Sequence, residues 1–233
     1  MMKREELTDL ILDINFLGKT VVIVGGGAEA YRKTLSFLDA NSKVLVVSND
    51  FLDNIHVLHQ LGKIDLVEKD IVDADAFVNG FSTKPDVLVA VTNNPDLNSR
   101  LGKYAKAMGC MVHIKDNPTV SDFMFPASAK IADVKIALFT GRKSPSMARV
   151  LRNRIEKMIN EEDLLQIQLQ EYIRPILKQK ISEQKIRKIV LSEILEDHHI
   201  QKLLKKGNFA DAKQLALDIA ESFMDNNHAP EKA

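Results

Sequence analysis

Gly25-Gly26-Gly27-Ala28-Glu29-Ala30 directly follows the β-branched run Thr20–Val24 and opens a helical pattern. A strand therefore turns tightly into a helix N-terminus at this point. In G-x-G-x-x-A spacing the first glycine permits the turn, the second lets backbone N–H groups approach a pyrophosphate, and Ala30 lets the helix lie close to the strand. The helix N-terminus adds partial positive charge for phosphates. The competing reading is a glycine turn that serves packing alone. In such a unit an acid about 20 positions beyond the first glycine holds the adenosine ribose hydroxyls. Here Ser48 occupies the tip of the second strand, followed by Asn49 and Asp50. No arginine cluster stands there to receive a 2′-phosphate, which favours NAD over NADP without deciding between them.

Further residues fall where open α/β sheets put their ligands, at the carboxyl ends of strands. The fourth strand runs into Thr92-Asn93-Asn94-Pro95-Asp96-Leu97-Asn98, and the fifth delivers Asp116. Each has an ordinary explanation too. Asp96 can cap the helix that follows, and Asp116-Asn117-Pro118 is a common way to leave a strand. Gly141-Arg142-Lys143-Ser144-Pro145-Ser146 joins two cations and two hydroxyls at a helix start, which suits an anion, while Ser144-Pro145 alone reads as a cap. His113 lies on the fifth strand, and His56 and His59 stand three apart on a helix. Without further ligand partners, no metal site is expected. Arg32 and Lys33 read as a solvated helix face.

The elements that position these residues follow from periodicity. Strands at Thr20–Val24, Val44–Val47, Ile64–Val67, Val87–Val91 and Met111–Ile114 alternate with helical segments at 28–39, 52–61, 74–78 and 97–108. Short links between them predict a Rossmann-like, doubly wound parallel sheet in the α/β class. After Asp116 the rhythm changes. Phe123–Ala127 and Val134–Thr140 read as strands with no long helix between them, which suggests antiparallel pairing or a sheet shared between subunits. From 146 to 160 and from 163 to 224 the pattern is helical, with Pro175 and Gly207 as interior punctuation. The expected division is 1–116 for the nucleotide-binding domain, 117–145 for dimerisation strands and 146–233 for an all-α domain.

Composition excludes several alternatives. The chain has 233 residues, 45% of them hydrophobic, with 32 Lys+Arg against 32 Asp+Glu, so neither disorder nor a general nucleic-acid footprint is indicated. A single cysteine, Cys110, excludes a disulfide framework and fits a reducing, cytoplasmic setting. No signal-peptide core and no run approaching ~20 apolar residues is present, so no membrane attachment is expected.

Read together, GKTVVIVGGGAEAYRK, AVTNNPDLN, HIKDNPTVSDFMFPA and FTGRKSPSMARVLRNRIE resemble, in order and spacing, the precorrin-2 dehydrogenase family, including the N-terminal part of siroheme synthases. The likeness covers about residues 10 to 160. It implies an NAD-dependent homodimer that oxidises precorrin-2 to sirohydrochlorin, and some members of the family also insert ferrous iron. Sirohydrochlorin ferrochelation alone, or tetrapyrrole and NAD binding without turnover, are the alternatives. The resemblance gives Gly25, Gly27, Ala28, Glu29 and Ala30 a cofactor-binding role and puts Asn49, Asp50 and Phe51 near the adenosine; Gly26, Ser48, Thr92 and Asn93 join the expected cofactor contacts by their places in the corner and at the strand ends. It makes Asp116 the catalytic acid-base group. His113, Arg142, Lys143, Ser144 and Arg149 become the substrate contacts, their cations and hydroxyls matching a tetrapyrrole rich in carboxylates. The sequence departs from the family pattern where His113 replaces a frequent Asn, Asn93-Asn94 replace a frequent pair of acids, and Arg142 replaces a frequent Gly. Amides do not take up protons as carboxylates do, so iron handling in that loop is less secure than dehydrogenation.

Overall fold

Five short strands rich in Val and Ile form one parallel sheet in a computed structural model that describes residues 10–141 and 143–227. In chain order the elements are β1 (Thr20–Val24), α1 (Ala28–Asp39), β2 (Lys43–Ser48), α2 (Asp53–Gln60), β3 (Asp65–Glu68), α3 (Ala74–Asn79), β4 (Val87–Ala90), α4 (Pro95–Ala107) and β5 (Met111–Ile114). The strand order is β3-β2-β1-β4-β5. Order reverses at β1, between β2 and β4, which is the switch point where such sheets leave a crevice. This is the doubly wound α/β architecture that the alternating pattern predicts.

Strand alternation explains why both faces are covered. Val21 and Ile23 of β1 join Val44, Val46, Val87 and Val89 in one apolar cluster, closed by Ala30 and Phe37 of α1 and Ile55 of α2. Val22 and Val24 point the other way, with Leu88 and Ala90, against Ala74 and Val78 of α3 and Leu97, Leu101 and Ala105 of α4. Helix α4 lies especially close to β5. A Cβ added at Gly102 would stand 2.5 Å from Cδ1 of Ile114, so glycine there sets the approach.

The outer edge of β5 is capped rather than extended. The Val112 amide donates to Oδ2 of Asp122 at 2.9 Å, and the Ile114 amide to Oγ of Ser121 at 2.9 Å. Phe123–Ala127 is thus not the strand the sequence suggests. Phe123 and Phe125 pack on His113 instead, and Pro126 contributes no N–H, so pairing starts only at β6 (Ala127–Ile131).

A second unit begins at Pro126, the first ending at Phe125. In it β6 and β7 (Val134–Leu138) form an antiparallel hairpin, with α5 (Pro145–Met158) against both strands. Then follow α6 (Glu161–Lys180), α7 (Gln184–Glu196), α8 (His198–Lys205) and α9 (Phe209–Asn227). Leu169, Ile173 and Leu177 of α6 meet Val190, Ile194, Ile200, Leu204 and Ala216 in their core. The helical stretch from 163 onward breaks at Gly207 (φ +72°) between α8 and α9, as its glycine suggests, whereas Pro175 lies inside α6 and the other two breaks fall where neither Pro nor Gly stands. Arg187 donates to the carbonyls of Ile181 and Ser182 at 2.7 Å each, stopping α6, and the Asp197 side chain accepts from the Ile200 amide to start α8. Among the described residues no helix is long and apolar enough to cross a membrane.

At the amino edge of the sheet, Asp86 clasps β1 to β4. Its Oδ2 accepts from the Thr20 amide at 2.8 Å, and Lys19 donates to Oδ1 at 2.9 Å. The Thr20 amide first, then Lys19, hold the carboxyl down at about 2. A depressed carboxylate contributes stability above its unfolded pKa, and that stability is lost as pH falls toward the folded value. Replacing Asp86 by Asn is expected to lower the melting temperature at neutral pH, and the gap from the parent should shrink between pH 4 and pH 2. A gap independent of pH over that window would show that the clasp carries no charge contribution.

Candidate functional site

At the carboxyl edge the strands end level with one another. Val24 pairs with Val47 and Ala90, and Ala90 with Ile114. The ladder continues one residue further through Gly25 N–H to Val47 O and Val91 N–H to Val24 O, both 2.9 Å, and Lys115 N–H to Ala90 O at 3.1 Å. Gly25–Gly27, Asn49–Phe51, Thr92 and Asp116 therefore emerge along one rim.

Each glycine of the corner has its own task. Gly25 has φ +131°, and a Cβ there would lie 3.0 Å from the Val91 carbonyl oxygen. A Cβ on Gly26 would fall 1.8 Å from the Asp50 carbonyl oxygen, and the Gly26 carbonyl accepts from the Leu52 amide at 3.0 Å. The first two glycines thus wedge the turn between the ends of β4 and β2. Gly27 is different, since nothing lies within 4 Å of its absent Cβ, and it precedes α1 as an N-cap without a side-chain bond. The first-turn amides of α1 are left to an anion, in a cradle that a pyrophosphate fits. Ala30 is buried against the sheet.

The tip of β2 offers a half-buried Ser48 and exposed Asn49 and Asp50. The Asp50 carboxylate accepts from the Phe51 amide at 2.9 Å, and Phe51 is buried in the core beneath. Glu29, on the first turn of α1, pairs with Arg32 and with Lys33 at 3.2 Å. Burial pulls its carboxyl upward, but the charges and hydrogen bonds of Lys33 and Arg32 outweigh this and leave it below the usual range. An acid beside a phosphate cradle is thereby neutralised. The solvated-face reading holds for Arg32, at 65% exposure, and not for Lys33, at 13%. The Lys33 ammonium sits 3.6 Å above the Phe125 ring, and burial lowers its pKa despite the Glu29 partner.

Between the ends of β4 and β5 lies a network whose centre is Asn98. Its Oδ1 accepts from Thr92 Oγ1 at 2.7 Å and from the Thr92 amide at 3.1 Å. Its Nδ2 donates to the Thr92 carbonyl at 3.1 Å and to Oδ2 of Asp116 at 2.9 Å. Asn98 is fully buried whereas Asp116 is exposed. The helix cap is Asn94, accepting from the Leu97 amide at 3.1 Å, rather than Asp96; Pro95 at the first helical position shifts the start back. Asn93 is exposed beside it. In the sequence Asn98 reads only as part of the loop; its place on the buried Leu97-Leu101 face of α4 is the signal that singles it out.

His113 is 5% exposed, edge-on to Phe125 with centroids 4.9 Å apart, and its Nδ1 lies 3.2 Å from the Phe123 carbonyl. Burial pushes its pKa down, against that hydrogen bond. In the second unit the Ser144 side chain caps α5 by accepting from the Met147 amide at 3.2 Å, with Pro145 at the first helical position. Lys143 and Arg149 are exposed. Arg142 lies outside the described residues. Among the described residues no group of three or more His, Cys, Asp or Glu is arranged to hold a metal.

The glycine corner makes a paired prediction. Gly26→Ala should cost at least about 3 kcal/mol, because the clash is with backbone, while Gly27→Ala should stay within about 1 kcal/mol of the parent. Denaturant unfolding of both variants checks this, and equal effects would contradict the division of labour.

Comparison with known proteins agrees with this geometry. Residues 12–127 match the family profile described as "Putative NAD(P)-binding". A precorrin-2 dehydrogenase of Methanosarcina barkeri is 28% identical over 98% of this chain and 100% of its own length. A siroheme synthase of Methylococcus capsulatus is 31% identical over 86% of this chain, which corresponds to 41% of that longer protein. The solved structure of SirC, a precorrin-2 dehydrogenase, superposes with a TM-score of 0.71 at 18% identity, covering 90% of this chain and 100% of SirC, and shows the same fold. Over residues 12–127 the chain thus carries the NAD(P)-binding profile, and over most of its length it is similar to precorrin-2 dehydrogenases and to the matching part of siroheme synthases.

Proposed function

We propose that this chain oxidises precorrin-2 to sirohydrochlorin with NAD as the cofactor, in siroheme biosynthesis. The observation that carries the reading is the placement, on one rim of one sheet, of an uncapped glycine corner and of Asp116 held by a buried amide. Gly25, Gly26, Gly27, Ala28, Glu29 and Ala30 hold the dinucleotide at its pyrophosphate, Ser48, Asn49, Asp50 and Phe51 border its adenosine end, and Thr92 and Asn93 border the opposite side of the crevice. Bound NAD supplies the hydride acceptor. The substrate loses a hydride and a proton, and the Asp116 carboxylate accepts the proton.

His113, Arg142, Lys143, Ser144 and Arg149 are assigned to the substrate. Lys143 and Arg149 carry exposed charges suited to its carboxylates. Ser144 caps α5 through its hydroxyl oxygen and its N–H already donates to Thr140 Oγ1, so what it offers an anion is the hydroxyl proton it now shares with Ser146. His113 acts from beneath, shaping the wall with Phe123 and Phe125. The division into 1–116, 117–145 and 146–233 is retained as functional modules, with the β6–β7 hairpin as the seam of a homodimer. Half-exposed Phe139, Met147 and Val150 near that hairpin support the assignment. The buried lone thiol, Cys110, fits a cytoplasmic enzyme.

An anaerobic assay with enzymatically generated precorrin-2 and NAD, following NADH and sirohydrochlorin together, tests the reading. Equimolar appearance of both is expected; binding of both ligands without turnover would sink it. Subsequent addition of ferrous iron tells whether chelation follows. Asp116→Asn should lower kcat by roughly 100-fold or more with NAD affinity unchanged, the usual range for loss of a proton-transfer group. Unchanged turnover in that variant would remove Asp116 from the role.

A further inference from the structure

We infer that Asn98 is a positioning residue for Asp116, fixing the carboxylate's rotamer and leaving one oxygen for the substrate. The inference rests on the catalytic role proposed for Asp116. Asn98 is fully buried and its amide orientation is forced. The Thr92 amide and hydroxyl both point at one end of it, at 3.1 and 2.7 Å, so that end must be the oxygen. The Thr92 amide can only donate, which alone fixes that end; the Thr92 hydroxyl accepts from the Asn94 amide at 3.1 Å and has the Asn98 oxygen at 2.7 Å as a closer acceptor than the Asn94 carbonyl at 3.3 Å. The other end is then an NH2, donating to the Thr92 carbonyl and to Oδ2 of Asp116.

Asp116 needs such a partner. It stands past the end of β5 on an exposed turn, where a carboxylate is free to rotate among solvated rotamers, and Asn98 is its side-chain partner among the described residues. The donor approaches only Oδ2, so Oδ1 stays available for proton transfer. Placement of the donor is itself built in. Gly102, one turn beyond Asn98 on the same face of α4, admits Ile114 of β5 into the space a Cβ would fill, and so draws the start of α4 against the end of β5. Holding a reacting group to within about an ångström of its productive position is worth up to ~100-fold in rate.

A purely structural Asn98, serving only to close the Thr92 loop, makes a different prediction. Asn98→Asp keeps the acceptor for Thr92 and exchanges the donor for a carboxylate facing Asp116; Asn98→Ala removes both. Asn98→Ser substitutes for whichever of these does not fold, with NAD binding and melting temperature certifying the fold. With Asp116 intact, both variants should lose about 10- to 100-fold in kcat, and in Asn98→Asp, which keeps the acceptor for Thr92, KM for precorrin-2 and affinity for NAD should hold. In the Asp116→Asn background the same substitutions should leave kcat nearly unchanged. Equal losses in both backgrounds, or full activity of Asn98→Asp, would overturn the inference. If Asp116→Asn alone is fully active, the catalytic reading fails first, and positioning fails with it, which separates that case from a failure confined to Asn98.

Discussion

Backbone closeness at the switch point is the constraint on which the rest of the first unit depends. Between the ends of β2 and β4 there is no room for a Cβ on Gly26 and barely any on Gly25, and the chain must turn there within three residues to start α1. Given that turn, the N-terminus of α1 faces the crevice with amides that no side chain caps. The same register brings Thr92 and Asp116 out on the neighbouring strand ends. A cofactor cradle and a candidate proton acceptor thus share one rim because the sheet is parallel and in step, with both faces sealed by apolar clusters that fix the step.

Charge is handled locally around this rim. Glu29 would oppose a bound phosphate were it not paired with Arg32 and Lys33, and Lys33 in turn is lodged over Phe125. Phe125 also packs edge-on to Phe37 and His113, so the aromatic segment after β5 serves as floor to both α1 and β5. The segment does this only because Ser121 and Asp122 satisfy the outer edge of β5 and spare it from pairing as a strand.

Much of this was legible in the sequence, and the failures have physical causes. β-branched runs bounded by turns mark buried parallel strands, so β5 falls at Met111–Ile114 as read, and the glycine fingerprint marks the crevice. Phe123–Ala127 misleads because alternation of large apolar residues looks the same whether a segment pairs or merely packs. The break between α6 and α7 carries no Gly or Pro; it is made by Arg187 reaching back to two carbonyls, a contact invisible in composition. Lys33 reads as a solvated helix face and Asn98 as one more polar residue of the loop after β4, and neither reading shows a tertiary partner. A polar side chain is placed in water or in a loop by default, and only tertiary partners reveal a buried amide that links two strand ends or an ammonium that covers a ring.

One rim of the parallel sheet should both bind NAD and present Asp116 to the reacting substrate. A crystal structure of the protein soaked with NAD tests it most directly. The pyrophosphate is expected on the amides that follow Gly27, the adenosine toward Asp50 and the nicotinamide end on the Thr92–Asp116 side. NAD bound away from the glycine corner, or lying with its nicotinamide toward β2, would contradict it.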